Sequence, residues 1–478
     1  MHTNPPNQVK LSLQEHLMLF ALMVVCFIVF CYMDYRYLDI EFLSFTRGDE
    51  RPQFLQLQKM YEGLLALDVK KFFAFEFYNY GFFYYVLNLL ATLPFIITEN
   101  YSLQIYAPRV LNALFSIANI WLLYRIARIY LSALDSMLIT GIFVAMGGFW
   151  HLGYVFKPDV FQAFFVLACA YYLLRDNFRF GKHYTLAWIA LGLGIGLAKF
   201  QAILFIPMMY AYICLPALSM QAGQMLLALK RCALGTLGVV ALWILSNPYL
   251  LHKSGFNAWL SMFEGNMRSN ATNHGAYTQV PLSEKLSQVV EMYYFEVIVF
   301  IVLLALCCYL LWLGAVRVFR DSALGEQCGS IASFVKGTNA KFANLPQKTQ
   351  SNHSPTATPR ILEKEKQASL SLQALEKGIA IHKEKADSSP KAESTNQVSI
   401  PLPFAPIAAG FLVSLIYLLF FVNKAWEAYY FSTMALGCVL FIPLALIVAK
   451  TSKGGGAAHK ERSSIKPLPY RSCLHYRF

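Results

Sequence analysis

The sequence predicts an all-α polytopic membrane protein, with about ten transmembrane helices and amphipathic juxtamembrane helices in the first external loop. Three observations carry that expectation. Charged residues make up only 14% of the 478 residues, and apolar ones 57%. Soluble chains average about 25% charged residues, so this chain cannot coat a water-facing surface. An ordinary soluble enzyme, a disordered chain and a fibrous one are excluded. The apolar residues also fall in blocks of about 16 to 23 residues, the length a helix needs to cross the hydrocarbon layer. Finally, lysines and arginines recur after every second block, as the positive-inside bias requires.

The first block, 17–33, is followed by Asp34, Tyr35 and Arg36 without a small-residue cleavage site, so it reads as an uncleaved helix. The first external loop, 34–104, comes next. In it Phe54 to Phe75 is amphipathic. Phe82 to Ile97, rich in tyrosine and phenylalanine, is expected to lie in the outer interface rather than to cross; the alternative is that it spans and one short later block, 184–198 or 201–216, does not. Further spans are expected at 106–124, 135–153, 159–174, 184–198, 201–216, 230–247 and 291–313, completing a core over 1–320. The last two, 404–422 and 428–449, lie in 403–450. Arg125 and Arg128 follow the second block; Arg175, Arg179 and Lys182 the fourth; Lys230 and Arg231 the sixth; Arg317 and Arg320 the eighth. Both termini are then cytoplasmic. Residues 321–402, rich in Ser, Lys, Glu, Gln and Pro, read as a disordered or partly helical cytoplasmic loop, with Leu362, Leu372, Leu375 and Ile379 on one side of an amphipathic stretch. Residues 451–478 are a basic cytoplasmic tail suited to anionic headgroups. The net charge of +13 sits mainly in these loops and tail, so it anchors topology and does not point to nucleic acid. Most of the ten cysteines lie in apolar blocks, and no CxxC pair or Cys/His cluster has zinc-ligand spacing.

Several residues stand out for their chemistry. Asp49 and Glu50 are adjacent carboxylates flanked by Arg47 and Arg51 just beyond the first helix. They suit acid/base work or ligand binding; the competing reading is a solvated charge cluster. Asp159 begins the fourth span at its outer end. Interfacial carboxylates are costly and usually have a task, although aspartate also caps helices. Asn79 and Tyr80 lie in an aromatic run, 75–82, whose tyrosines otherwise suit an interfacial belt. Arg109, Lys157, Lys199, Arg268 and Lys424 are lone external cations that run against the charge bias. They read as partners for a bound phosphate or for Asp49 and Asp159, with a snorkelling side chain as the alternative.

The order of these features resembles the C-type integral-membrane glycosyltransferases, in particular glycosyltransferase family 39, the protein O-mannosyltransferase and lipid A aminoarabinose transferase-like group. The residues that carry the resemblance are Gly48-Asp49-Glu50, Phe77-Tyr78-Asn79-Tyr80-Gly81 with Tyr84-Tyr85, Pro108-Arg109 through Leu114, Lys157-Pro158-Asp159-Val160, Gly192 through Lys199, and Asn247-Pro248-Tyr249. They span roughly residues 15–250; Lys424 through Tyr430 resembles the family's last external turn more loosely. The resemblance implies inverting transfer of a sugar from a polyprenyl-phosphate donor to a lipid, glycan or protein acceptor, outside a bacterial inner (plasma) membrane. It implies Asp49 as general base, Glu50 assisting, Asp159 near the sugar or acceptor, and Arg109, Lys199 and Arg268 on the phosphate. In keeping with it, the sequence holds no P-loop and no GxGxxG. Asn79-Tyr80 stands where the lipid A transferases carry an acidic-basic pair, which weakens a lysine contact there and the aminoarabinose substrate. A divalent metal between Asp49 and Asp159 is compatible with the paired carboxylates but not required. The alternative is a transporter or flippase of a lipid-linked or amphipathic solute, which calls for inverted repeats and broken helices; no convincing repeat is present. A membrane scaffold whose partner binds 321–402 is a third reading.

Overall fold

A computed structural model describes residues 11–36, 50–73, 80–218, 222–273, 278–317 and 401–455. The described residues are helical apart from connections and one isolated backbone bridge, Tyr80 to Lys199. In chain order the helices are α1 (Leu13–Tyr35), α2 (Glu50–Leu65), α3 (Val69–Phe73), α4 (Phe82–Ile97), α5 (Tyr101–Ala127), α6 (Ala133–Ala145), α7 (Gly147–Leu152), α8 (Asp159–Asp176) and α9 (Lys182–Leu193). They continue with α10 (Ile206–Ala217), α11 (Ala222–Ser246), α12 (Lys253–Thr272), α13 (Leu282–Val289), α14 (Val297–Arg317), α15 (Phe404–Phe420) and α16 (Glu427–Gly455). Among the described residues, six segments are long and apolar enough to cross a membrane: α1, α5, Phe200–Ala217, Gln224–Ser246, α14 and Ala428–Ala449. The fold is that of an all-α, multi-pass membrane protein.

The direction of each helix follows from what its ends touch. At one end of the bundle, Ser12 caps α1 in a reciprocal box with Glu15. Glu15 also receives Arg128 Nε from the end of α5 at 2.7 Å. Tyr130, just past α5, packs on Phe404 at the start of α15, with ring centroids 5.1 Å apart. Asp176 at the end of α8 accepts the Tyr212 hydroxyl of α10 at 2.7 Å and the Tyr184 N–H of α9 at 3.1 Å. Arg231 of α11 lies over the Phe180 ring at 3.9 Å. Arg317 of α14 lines a cleft with Pro401 and Leu402. This end therefore gathers the starts of α1, α9 and α15 and the ends of α5, α8, α10 and α14, with the basic residues that follow alternate blocks.

α4 does not traverse the bundle. Its first turn holds Tyr84, whose hydroxyl accepts from Asn112 Nδ2 of α5 at 3.0 Å. Its last turn holds Phe95, whose carbonyl accepts from Gln104 Nε2 of α5 at 3.2 Å. α4 thus runs back along the first turns of α5 and hands over through Thr98 to Asn100, where Asn100 caps α5. At about 24 Å its length is also short of the hydrocarbon layer.

Four expected blocks differ in detail. The 135–153 block breaks at Met146, whose extended backbone separates α6 from α7. The 184–198 block ends in a π turn over Gly194–Ala198, and the 201–216 block begins in a 3-10 turn over Phe200–Phe205. The 291–313 block starts late, at Val297, because Phe295 takes a positive φ of 64° after the π turn Val290–Tyr294. Of the 321–402 loop only Pro401 and Leu402 are among the described residues, and of the tail only 451–455.

Candidate functional site

The other end of the bundle collects the polar residues. Asp34 ends α1, Glu50 begins α2, and Arg109 stands two turns into α5. Arg109 Nη1 donates to Asp34 Oδ1 at 3.0 Å, Nε to Glu50 Oε1 at 3.2 Å and Nη2 to Glu50 Oε2 at 2.9 Å. All three side chains are fully buried. A guanidinium fork on a carboxylate is the geometry arginine is shaped for, and two carboxylates give one cation full use of its donors. Glu50 Oε1 also accepts the Phe156 N–H at 2.7 Å, so the acidic pair's segment is tied to the loop before α8.

The same face of α5 holds that loop along its length. Asn112 Nδ2 donates to Val155 O, Ser116 Oγ to Gly153 O and Asn119 Nδ2 to Val160 O, at 2.9, 2.6 and 2.9 Å. Positions 109, 112, 116 and 119 follow helical spacing, so one buried polar stripe reads the loop carbonyls. Loop 153–158 carries Lys157 and delivers Asp159 to the first turn of α8. Asp159 makes no capping hydrogen bond there. Its Oδ1 accepts Lys199 Nζ at 2.8 Å, and Oδ2 is buried without a partner.

Lys199 stands where the backbone breaks between the π and 3-10 turns, in extended conformation (φ −148°, ψ 130°). Two contacts fix the break. The Gly81 N–H donates to Ala198 O at 2.9 Å, beside the Tyr80–Lys199 bridge. Asn247, at the end of α11, accepts the Phe82 N–H at 2.9 Å and donates to Gly196 O at 3.0 Å. Gly81 is needed for this approach: a Cβ there would stand 2.1 Å from Leu197 O. Lys199 Nζ then lies over the rings of Tyr80 and Tyr429, at 5.7 and 5.1 Å.

Tyr429 opens a wall shared by two further lysines. Its ring stacks on Trp426 with centroids 5.8 Å apart. Lys424 Nζ sits over Trp426 and Tyr429 at 5.5 and 5.8 Å and donates to Ser269 Oγ of α12 at 2.9 Å. Lys157 Nζ sits over the same Trp426 at 5.7 Å. Asn423 pins this corner: it accepts the Val280 N–H at 2.7 Å and donates to Thr278 O at 2.8 Å and Ala271 O at 3.3 Å. Cations on aromatic faces gain about 0.5–2 kcal/mol without losing their charge, so the wall orients the three ammonium groups.

Of the residues singled out in the sequence, Lys157, Lys199, Lys424, Tyr80 and Asp159 come together. Glu50 and Arg109 form a separate buried cluster with Asp34. Arg268 is exposed on α12, with its neighbour Ser269 turned to Lys424. Asp49 and Asn79 lie outside the described residues. Sequence reasoning passed over Asp34, Trp426 and Tyr429 as chemistry. The signal for Asp34 was present, since a carboxylate closing an apolar helix needs a partner.

The local charge bears on a divalent metal. Asp159 Oδ1 is taken by an ammonium group and two more lysines share the adjoining wall, so the residues around Asp159 suit an anion and do not fit a dication. Among the described residues no three His, Cys, Asp or Glu side chains gather as metal ligands.

No family model matches the chain, and no curated protein matches it. It is similar to the crystal structure of ArnT from Cupriavidus metallidurans in the apo state, at 14% sequence identity and a TM-score of 0.33, over 84% of this chain and 72% of that one.

Proposed function

We propose that the protein transfers a sugar from a polyprenyl-phosphate donor to an acceptor hydroxyl or phosphate on the extracytoplasmic face of the plasma membrane, with inversion and a carboxylate general base. The observation that carries this reading is the set of three ammonium groups, Lys157, Lys199 and Lys424, on the Trp426–Tyr429 wall beside the buried Asp159 carboxylate. The motifs shared with family 39 support it. So does the placing of Arg128, Arg231 and Arg317 toward the opposite end, which in this reading is the cytoplasmic one.

In this reading the donor phosphodiester carries one negative charge. As the acceptor oxygen attacks the anomeric carbon, the bond from that carbon to the phosphate oxygen breaks, and its electron pair leaves a phosphate monoester with a second charge. The lysines answer that added charge, so they act more strongly on the transition state than on the bound donor. The acceptor's proton passes to a carboxylate, proposed as Asp49. Glu50, its neighbour in sequence, is held by Arg109 and the Phe156 N–H and anchors that segment. Arg109 is thereby a positioning residue, and Asp159 holds Lys199 toward the donor.

The test is turnover by purified protein in nanodiscs with a panel of polyprenyl-phosphate sugars, reading released polyprenyl phosphate by mass spectrometry. Acceptor-dependent release, abolished by Asp49→Asn with folding intact, is the expected result. Absence of release across the panel, together with transbilayer movement of the intact donor in liposomes, would establish the transporter reading instead.

A further inference from the structure

α12 divides into three faces, one packed on the protein and two largely exposed, although Phe263 at the edge touches Phe200 with ring centroids 6.1 Å apart. At ~100° per residue, Gly255, Ala258, Trp259, Met262, Asn266, Ser269 and Asn270 fill a sector of about 120°, and each is buried or partly buried. This sector packs Ala258, Trp259 and Met262 on the core formed by α2 and α4. It ends on the Lys424 and Asn423 contacts. Lys253, Ser254, Asn257, Ser261, Glu264 and Arg268 fill a second sector of about 120°, exposed and polar. Between them, in about 60°, stand Phe256, Leu260, Phe263 and Met267, exposed by 47, 40, 37 and 50%.

A helix in water would have no cause to expose four large apolar side chains in one unbroken stripe. The stripe continues a surface already given to lipid. The spanning segment Gln224–Ser246 leaves Leu234, Leu237 and Leu245 exposed by 64, 65 and 69%. Leu251, in the turn leading to α12, is exposed by 74%. Trp243 of α11 joins the two inside, touching Trp259 with centroids 5.0 Å apart.

We infer that α12 lies in the plane of the bilayer, with the Phe256–Leu260–Phe263–Met267 stripe in the acyl layer of the leaflet next to the lysine wall and the Asn257–Glu264–Arg268 face in the aqueous headgroup zone. A protein flank, a lipid flank and a water flank are what an interfacial helix beside a bundle must present. The depth of the leaflet then sets the height of Ser269, and through it the position of Lys424. This inference does not depend on the transferase reading.

The experiment places a photoreactive diazirine amino acid at positions 260, 263 and 267, and in parallel at 257, 261 and 264, in the full chain reconstituted in phosphatidylcholine vesicles. Adducts are read by mass spectrometry. Phospholipid adducts at the first three positions and water-quenched products at the second three are expected. Adducts to a second copy of the chain at 260, 263 and 267 would overturn the proposal in favour of a dimer face. Water-quenched products at all six positions would overturn it in favour of a helix standing clear of the membrane.

Discussion

Arg109 offers the sharpest test, because two roles for it predict opposite phenotypes. Its three hydrogen bonds to Glu50 and Asp34, at 3.2, 2.9 and 3.0 Å, lie wholly out of solvent. Replacing it with glutamine keeps polarity and some volume but leaves two buried carboxylates without a cation. Breaking a buried pair by removing one partner costs about 3–5 kcal/mol. Arg109→Gln is therefore expected to lower unfolding stability by that order. Arg109→Lys should cost less yet not restore the wild type, because a single ammonium cannot bridge both Glu50 oxygens and Asp34.

The partner variant Glu50→Gln completes a cycle. The double variant should be more stable than the two single losses combined would give, by on the order of 2 kcal/mol, as expected for groups in one buried network. Unfolding of the purified protein by graded SDS, followed by tryptophan fluorescence, measures all four corners. Donor KM is measured alongside. Additive losses below about 1 kcal/mol, joined to a raised donor KM, would refute the buried network and make Arg109 a phosphate ligand.

The remaining expectations concern the lysine wall and its supports. Asp159→Asn should cut turnover by on the order of 100-fold or more while the protein stays folded; wild-type rates would leave Asp159 with no part in the reaction. Gly81→Ala drives a methyl group into backbone at 2.1 Å from Leu197 O and 2.2 Å from Leu197 C. It should destabilise by about 3 kcal/mol or more, read in the same SDS titration. Asn423→Ala removes three side-chain hydrogen bonds to Ala271, Thr278 and Val280. It should raise donor KM with little change in kcat, since Lys424 loses its backing. Deleting 330–395 should leave activity in vitro largely unchanged, checked by the mass-spectrometric turnover assay.

How much of this could be read from residues alone depends on what enforces each feature. A helix in hydrocarbon satisfies its backbone internally, so composition and length suffice to mark it. That is why the apolar blocks anticipated the helices α1, α5, α8 and α11. Breaks are harder to read. Met146 and Lys199 interrupt blocks whose hydropathy never falters, because the interruption is fixed by partners elsewhere: Gly81, Ala198 and Asn247 close the break at Lys199. Arg109 shows the same limit in its chemistry. Its sequence context marks a cation facing the outer side, but its acceptors arrive from helices 59 and 75 positions away, and no local pattern distinguishes a carboxylate partner from a phosphate.

The two buried clusters also explain why an anion would go to one and not to the other. Asp34 and Glu50 enclose the Arg109 guanidinium, which is already taken up by carboxylates between α1, α2 and α5. Lys157, Lys199 and Lys424 gather with Asp159 on the aromatic wall of Trp426 and Tyr429. The segment Gly153 to Val160 links these clusters: it touches Glu50 at Phe156 and carries Lys157 and Asp159. That segment is held by Asn112, Ser116 and Asn119 of α5. In the proposed reaction the donor phosphate is drawn to the lysines, so the charge that develops on the leaving group falls on the side richer in cations.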